Sequence, residues 1–213
     1  MTNYSQDFID EHRDINVNYD WWDSVYDDFA QICTMLGVEL ATYPVKLMNG
    51  KTRDENDISF SGFWSQGDGA SWAGEYRPQG LGYAGLEKLS LYDTAPIKIR
   101  EHAPEDEELH RIADELCLLC RIYGPVYARV RRKGHYYCHS NTMYVDYWEY
   151  YDEEIDPSDV ASDITDHIEG TLNQLFKDLA DWLYKQLETE YEYLTSDEAV
   201  VESLEANEIE EDA

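Results

Sequence analysis

ISFSGFWSQGDGASWAGEY, residues 58–76, decides the fold. Ile58, Phe60, Gly62 and Trp64 fall on every second position, and so do Trp72, Gly74 and Tyr76 after the break. A period of two is the mark of a strand with one buried face. Between the runs, Gly67 and Gly69 allow the positive backbone angles of a tight turn. The stretch predicts a β-hairpin. Outward from it, VYARVRR (126–132) and MYVDYWEYY (143–151) alternate in the same way and predict two strands that pair. Residues 38–48 predict an extended segment, with Pro44 placing it at an edge. A further short strand is expected near residues 97–99.

Helical spacing surrounds these strands. Trp22, Val25, Tyr26, Phe29, Ile32, Cys33 and Leu36 recur at steps of three and four, with Asp20 as a cap and Gly37 as a stop. Leu109, Ile112, Ala113, Leu116, Leu119, Cys120 and Tyr123 do the same over about 105–123, ending at Gly124. Residues 157–194 carry a long apolar stripe with Gly170 as a candidate break. Thr195 and Glu198 form a capping-box pattern before a last short helix. The expected class is α+β: a small antiparallel sheet packed with helices, and a long acidic C-terminal helical region. The expected division is an α+β core over 1–151, the acidic helical region packed on it over 152–208, and a frayed tail at 209–213.

The chain has 213 residues, 46 Asp and Glu against 16 Lys and Arg, and a formal net charge of −30. So acidic a chain repels nucleic acid and anionic membranes. Disorder is excluded by 6 Trp, 18 Tyr and 5 Phe. No apolar run reaches membrane-spanning length, and the first residues lack the pattern of a signal peptide. A cytoplasmic protein with reduced cysteines is therefore expected. The charge is uneven. Residues 1–140 hold 23 acidic and 14 basic side chains; residues 141–213 hold 23 acidic ones and only Lys177 and Lys185. No Lys or Arg occurs between 134 and 176. Along this gap run Asp146, Glu149, Asp152, Glu153, Glu154, Asp156, Asp159, Asp163 and Asp166. At helical steps such carboxylates lie about 5–6 Å apart, comparable with the phosphates of duplex DNA.

Other chemistry is weaker. Cys117 and Cys120 form C-x-x-C ahead of His135, Cys138 and His139, but a step of three inside an apolar stripe reads as core, so no metal is expected. The glycine-rich stretch lacks the Gly-Lys-Ser/Thr ending of a phosphate loop, and no cofactor is expected. Trp64, Gln66, Asp68 and Trp72 remain as a secondary ligand or partner surface beside the turn.

The stretches YDWWDSVYDDF (19–29), ISFSGFWSQGDGASWAGEY (58–76), LHRIADEL (109–116) and WLYKQLETEYEYLTSDEAVVESLEANE (182–208) resemble a family of uncharacterised phage and prophage proteins. Its shared F-x-G-F-W-S-Q-G-D-G-A block falls on residues 60–70 here. Members often carry the label antitoxin of a toxin–antitoxin system, and no site residues come with the resemblance. It implies a phage setting, in which small acidic proteins disarm restriction, CRISPR or other nucleic-acid-handling defences.

The expectation is a non-enzymatic inhibitor that binds a basic, nucleic-acid-binding host protein as a DNA mimic through the nine carboxylates above, with a homodimer open. Two alternatives stand: an antitoxin-like protein acting through an aromatic surface, and a small-ligand enzyme using the turn at 66–68.

Overall fold

A computed structural model of the chain describes residues 4–78, 91–134, 138–149 and 162–211. In order the elements are α1 (Gln6–Glu11), α2 (Asp23–Leu36), β1 (Val38–Leu40), β2 (Thr42–Lys46), β3 (Thr52–Asn56), β4 (Ile58–Ser61), β5 (Gly69–Trp72) and β6 (Gly74–Tyr76). Then follow α3 (Leu91–His102), α4 (Glu107–Tyr123), β7 (Val126–Arg132), β8 (Met143–Glu149), α5 (Ser162–Leu194) and α6 (Asp197–Ala206). Every strand pairing is antiparallel, so the class is α+β as expected.

The predicted hairpin is β4–β5, with Ile58 opposite Trp72 and Ser61 opposite Gly69. It does not continue into β6. At Ala41, Asp57 and Ala73 the three chain segments exchange partners together. Below that level β1 pairs with β6, beyond it β2 pairs with β3, and β4 pairs with β5. A closed ring of backbone hydrogen bonds holds the junction: the Ala41 amide donates to the Ala73 carbonyl, Ala73 to Asp57, and Asp57 to Ala41, at 2.8, 3.0 and 2.7 Å. Each residue of the ring uses one donor and one acceptor, so no buried amide is orphaned where the ladders end. Gly74 beside the ring has no room for a side chain, because a Cβ would lie 2.5 Å from the Glu39 carbonyl oxygen.

The main sheet runs β1-β6-β7-β8. The predicted β7–β8 pair is present, with Ala128 opposite Tyr147 and Val130 opposite Val145. One face of this sheet buries Val38, Tyr76, Val126, Ala128, Val130, Met143 and Val145. Helices supply the other side of the core. Phe29, Ile32, Cys33 and Leu36 of α2, the Leu109-to-Cys120 stripe of α4, and Ile168, Leu172, Leu175, Phe176 and Leu179 of α5 are all buried. Phe29, Trp72, Tyr76 and Phe176 form an aromatic cluster, with ring centroids 5.5–6.2 Å apart. Such edge-to-face pairs add to the burial of their large apolar areas.

Four expectations are corrected. Residues 97–99 are helical, inside α3. Their alternation and Pro96 suggested a strand, but Ala95 and Ile99 sit one turn apart on a buried face. Arg100–Asp114 and Arg121–Asp93 ion pairs join α3 to α4. The β2–β3 hairpin is additional, because TRDEN has no apolar alternation to announce it. The cap of α6 is Ser196 rather than Thr195; its hydroxyl accepts from the Ala199 amide. Gly170 lies inside α5 without interrupting it. Gly37 and Gly124 do end α2 and α4, both at positive φ.

The chain forms two compact units, residues 1–27 with 185–213, and residues 28–184. The division therefore differs from the expected one at 151/152, because the first and last segments of the chain fold together.

Candidate functional site

The unit formed by the two ends of the chain is small and helical. Ser5 caps α1 through the Phe8 amide, and α6 lies against it. The joint core is Ile9, Val200 and Leu204, with Tyr4, Phe8, Ile15, Val201 and Ile209 packed around them. Polar ties close the seam. Tyr4 Oη donates to the Ile209 carbonyl at 2.9 Å, and Asn16 Nδ2 donates to the Leu194 and Ala199 carbonyls. Trp21 and Tyr191 pack ring on ring, with centroids 5.5 Å apart.

The charged residues of this unit are almost all acidic. The unit has 18 Asp and Glu and two basic residues, Arg13 and Lys185, in 56 residues, a net of −16. The other unit carries −14 over 157 residues. Charge density thus differs about threefold. Arg13 is spent inside the unit: it pairs with Asp10 and Asp197 and donates to the Thr195 carbonyl. That guanidinium holds the Asp10 carboxyl below its ordinary range, and Asp10 and Asp197 raise Arg13 in turn. Asp7, Asp10 and Glu11 of α1 and Asp197, Glu198, Glu202 and Glu205 of α6 are exposed. Four acids over the roughly 15 Å of α6 give one charge per about 4 Å. One strand of duplex DNA carries one per about 3.4 Å.

The carboxylates singled out in the sequence fare differently. Asp152, Glu153, Glu154, Asp156 and Asp159 lie outside the described residues. Glu149 ends β8 and Asp163 is in the first turn of α5. Asp166 is exposed on α5. Asp146 already has a cationic neighbour. It sits on the outer face of the main sheet, opposite Arg129, and pairs with Arg131 at 3.2 Å. The gap without Lys or Arg in the sequence is not a gap in space at this point. Antiparallel pairing lays β8 beside β7, which carries Arg129, Arg131 and Arg132. Glu75 extends the same mixed ladder, held well ionised by Arg77 and Arg129.

The glycine-rich turn proves to be largely scaffold. Asp68 Oδ2 accepts from the Trp64 and Ser65 amides at 3.0 and 2.7 Å. A Cβ at Gly62, where φ is +24°, would lie 2.8 Å from that same oxygen. Tyr184 Oη donates to the Gly62 carbonyl, and Phe63 stacks between Phe60 and Tyr184. Trp72 is corrected from surface to core: it is 0% exposed, wedged between Phe29 and Phe176. It lies opposite Ile58 in β5, whose four residues are all buried. Trp64, at 79% exposure, and Gln66 do face solvent.

Cys117 and Cys120 are buried on the α4 stripe, and burial pushes both thiols up, away from the thiolate needed for redox or metal chemistry. Among the described residues no three His, Cys, Asp or Glu side chains are grouped to hold a metal ion. A polar cleft of about 470 Å³ lies beside the strand junction, lined by Asp57, Ser59, Arg131, Arg132 and Cys138. Arg132 within it is committed to Asp57 and Ser59.

Linear reading missed the acidic unit because its charges come from opposite ends of the chain. The available signal was that residues 7–27 hold seven acids with Arg13 as their one base, and residues 188–212 hold eleven acids and no Lys or Arg. A family profile described as a domain of unknown function (DUF8835) matches residues 21–197, and the chain belongs to that family. No curated protein matches the chain, and no solved structure does.

Proposed function

We propose that this member of the DUF8835 family is a non-catalytic acidic decoy, which occupies the nucleic-acid-binding surface of a basic host protein, in the manner of a phage-type inhibitor of restriction or CRISPR-like defence. The observation that carries the reading is the −16 helical unit, whose exposed carboxylates stand on two packed helices with Arg13 turned to internal use. Fixed helices keep the charges in place, so binding costs little reordering. The concentrated field speeds encounter with a basic groove and makes capture sensitive to salt.

Two sets of residues are candidates for contact. One is Glu198, Glu202 and Glu205 on α6; the other is Asp163 and Asp166 of α5 with Asp159, which precedes them in sequence and lies outside the described residues. Charge reversal of each set separately, followed by capture of basic proteins from host lysate at low and high salt, tests the reading. Loss of capture with either set supports it. Capture that survives both reversals and high salt overturns it.

One observation favours the antitoxin-like alternative: Trp64 stands exposed at the tip of the β4–β5 turn. In that case Trp64→Ala abolishes complex formation and charge reversal does not. Less favours the enzyme alternative, since Asp68 Oδ2 accepts from two backbone amides of its own turn.

A further inference from the structure

The β2–β3 hairpin stands apart from the rest of the molecule in chemistry. Of its ten strand residues only Val45 and Glu55 are partly covered; all others are exposed. Its strands pair only with each other. Leu47 and Lys51 close the tip around Met48, Asn49 and Gly50, where φ is +78°. Tyr43, Leu47 and Met48 are exposed apolar side chains along this arm, Met48 completely so. Lys46 and Lys51 flank the tip; farther down β3, Arg53 pairs with Glu55 beside Asp54, so the positive charge of the arm lies at its tip. An isolated two-stranded hairpin without an apolar face to bury is marginal in water. Here the junction ring anchors its base and nothing described covers its sides.

The surface on the page that complements this arm is the acidic helical unit. It offers negative charge where the tip of the arm carries Lys46 and Lys51, and exposed Tyr19 and Tyr193 where the arm is apolar. We propose that the β2–β3 arm of one copy docks on the α1–α6 surface of a second copy, and that exchange of arms in both directions closes a dimer. The net charge of −30 does not forbid this. At physiological salt the Debye length is about 8 Å, so distant charges are screened and the local pairing of Lys46 and Lys51 with helix carboxylates decides. Two reciprocal contacts form together, so each raises the effective concentration of the other. The same acidic surface then serves both self-association and the decoy function proposed above, but the inference stands without that function.

The test is sedimentation velocity of the full chain at about 0.15 M salt. The wild-type protein should dimerise. Lys46→Glu with Lys51→Glu should weaken association at least about tenfold, with an unchanged circular dichroism spectrum. Glu198→Lys with Glu202→Lys and Glu205→Lys should do the same. Mixed, the two variants should restore a dimer, because each then presents the charge its partner needs at both contacts. A wild-type monomer overturns the inference, as does a dimer that survives the Lys46 and Lys51 reversals or a mixture that stays monomeric. No nucleic-acid-binding partner enters the experiment, so its failure leaves the decoy reading to its own test.

Discussion

Replacing Glu202 by Gln should make the protein more stable. Glu202 lies at the middle of α6, one turn from Glu198 and from Glu205, and all three are exposed. Like charges at these spacings each destabilise a helix by about 0.2–0.5 kcal/mol. Removing the central charge relieves both contacts, a gain of about 0.4–1 kcal/mol. Urea unfolding followed by circular dichroism reads this directly, since urea leaves ionic strength unchanged. With a slope of about 2 kcal/mol per molar, the midpoint should rise by about 0.2–0.5 M. In about 1 M NaCl, where the Debye length is near 3 Å, most of the gain should vanish. An acidic surface kept for binding is expected to cost stability in this way. A midpoint that falls on substitution, or a gain untouched by salt, would refute the reasoning.

Three further outcomes follow from the geometry. Trp72→Ala should cost about 3–5 kcal/mol by opening a cavity beside Phe29 and Phe176; Trp72→Phe should cost much less, because Nε1 has no hydrogen-bond partner among the described residues, and thermal unfolding compares the two. Asp68→Ala should lose about 1–2 kcal/mol through the Trp64 and Ser65 amides, while Trp64→Ala stays within about 0.5 kcal/mol as an exposed position. The pH dependence should show an acid limb. Glu75 and Asp114 are held ionised below the ordinary carboxylate range by Arg77 with Arg129 and by Arg100. Their contribution is full above the unfolded carboxylate pKa near 4 and is lost as pH falls through the lowered folded values. Urea midpoints should therefore hold above about pH 4 and fall below it.

Much of the fold was legible because burial imposes its period on the residues. The β7–β8 pairing, the α4 stripe and the apolar spine of α5 follow from that alone. Elements that bury little gave little sign. β3 has no apolar side chain, so only Asn49-Gly50 in the turn marked the hairpin. α3 reads as a strand because Ile97 and Ile99 are β-branched and Pro96 disfavours a helix; packing against α4 outweighs both. The candidate site was harder still, because charge is a property of space. Asp146 lies in a basic-free stretch of sequence yet touches Arg131 across a strand pair. The terminal unit's −16 joins −6 from residues 1–27 to −10 from residues 185–213, segments far apart in the chain. Trp72 shows the same lesson within one hairpin: its position relative to Trp64 looked like a shared surface, and β5 is buried on both faces.

The most direct test of the decoy reading is competition between this protein and duplex DNA for one captured basic partner. Labelled duplex bound to that partner should be released in proportion to added protein, with fluorescence anisotropy falling to the value of free DNA. The reversal of Glu198, Glu202 and Glu205, or of Asp159, Asp163 and Asp166, should abolish the release. DNA that stays bound while this protein joins the complex would contradict the account.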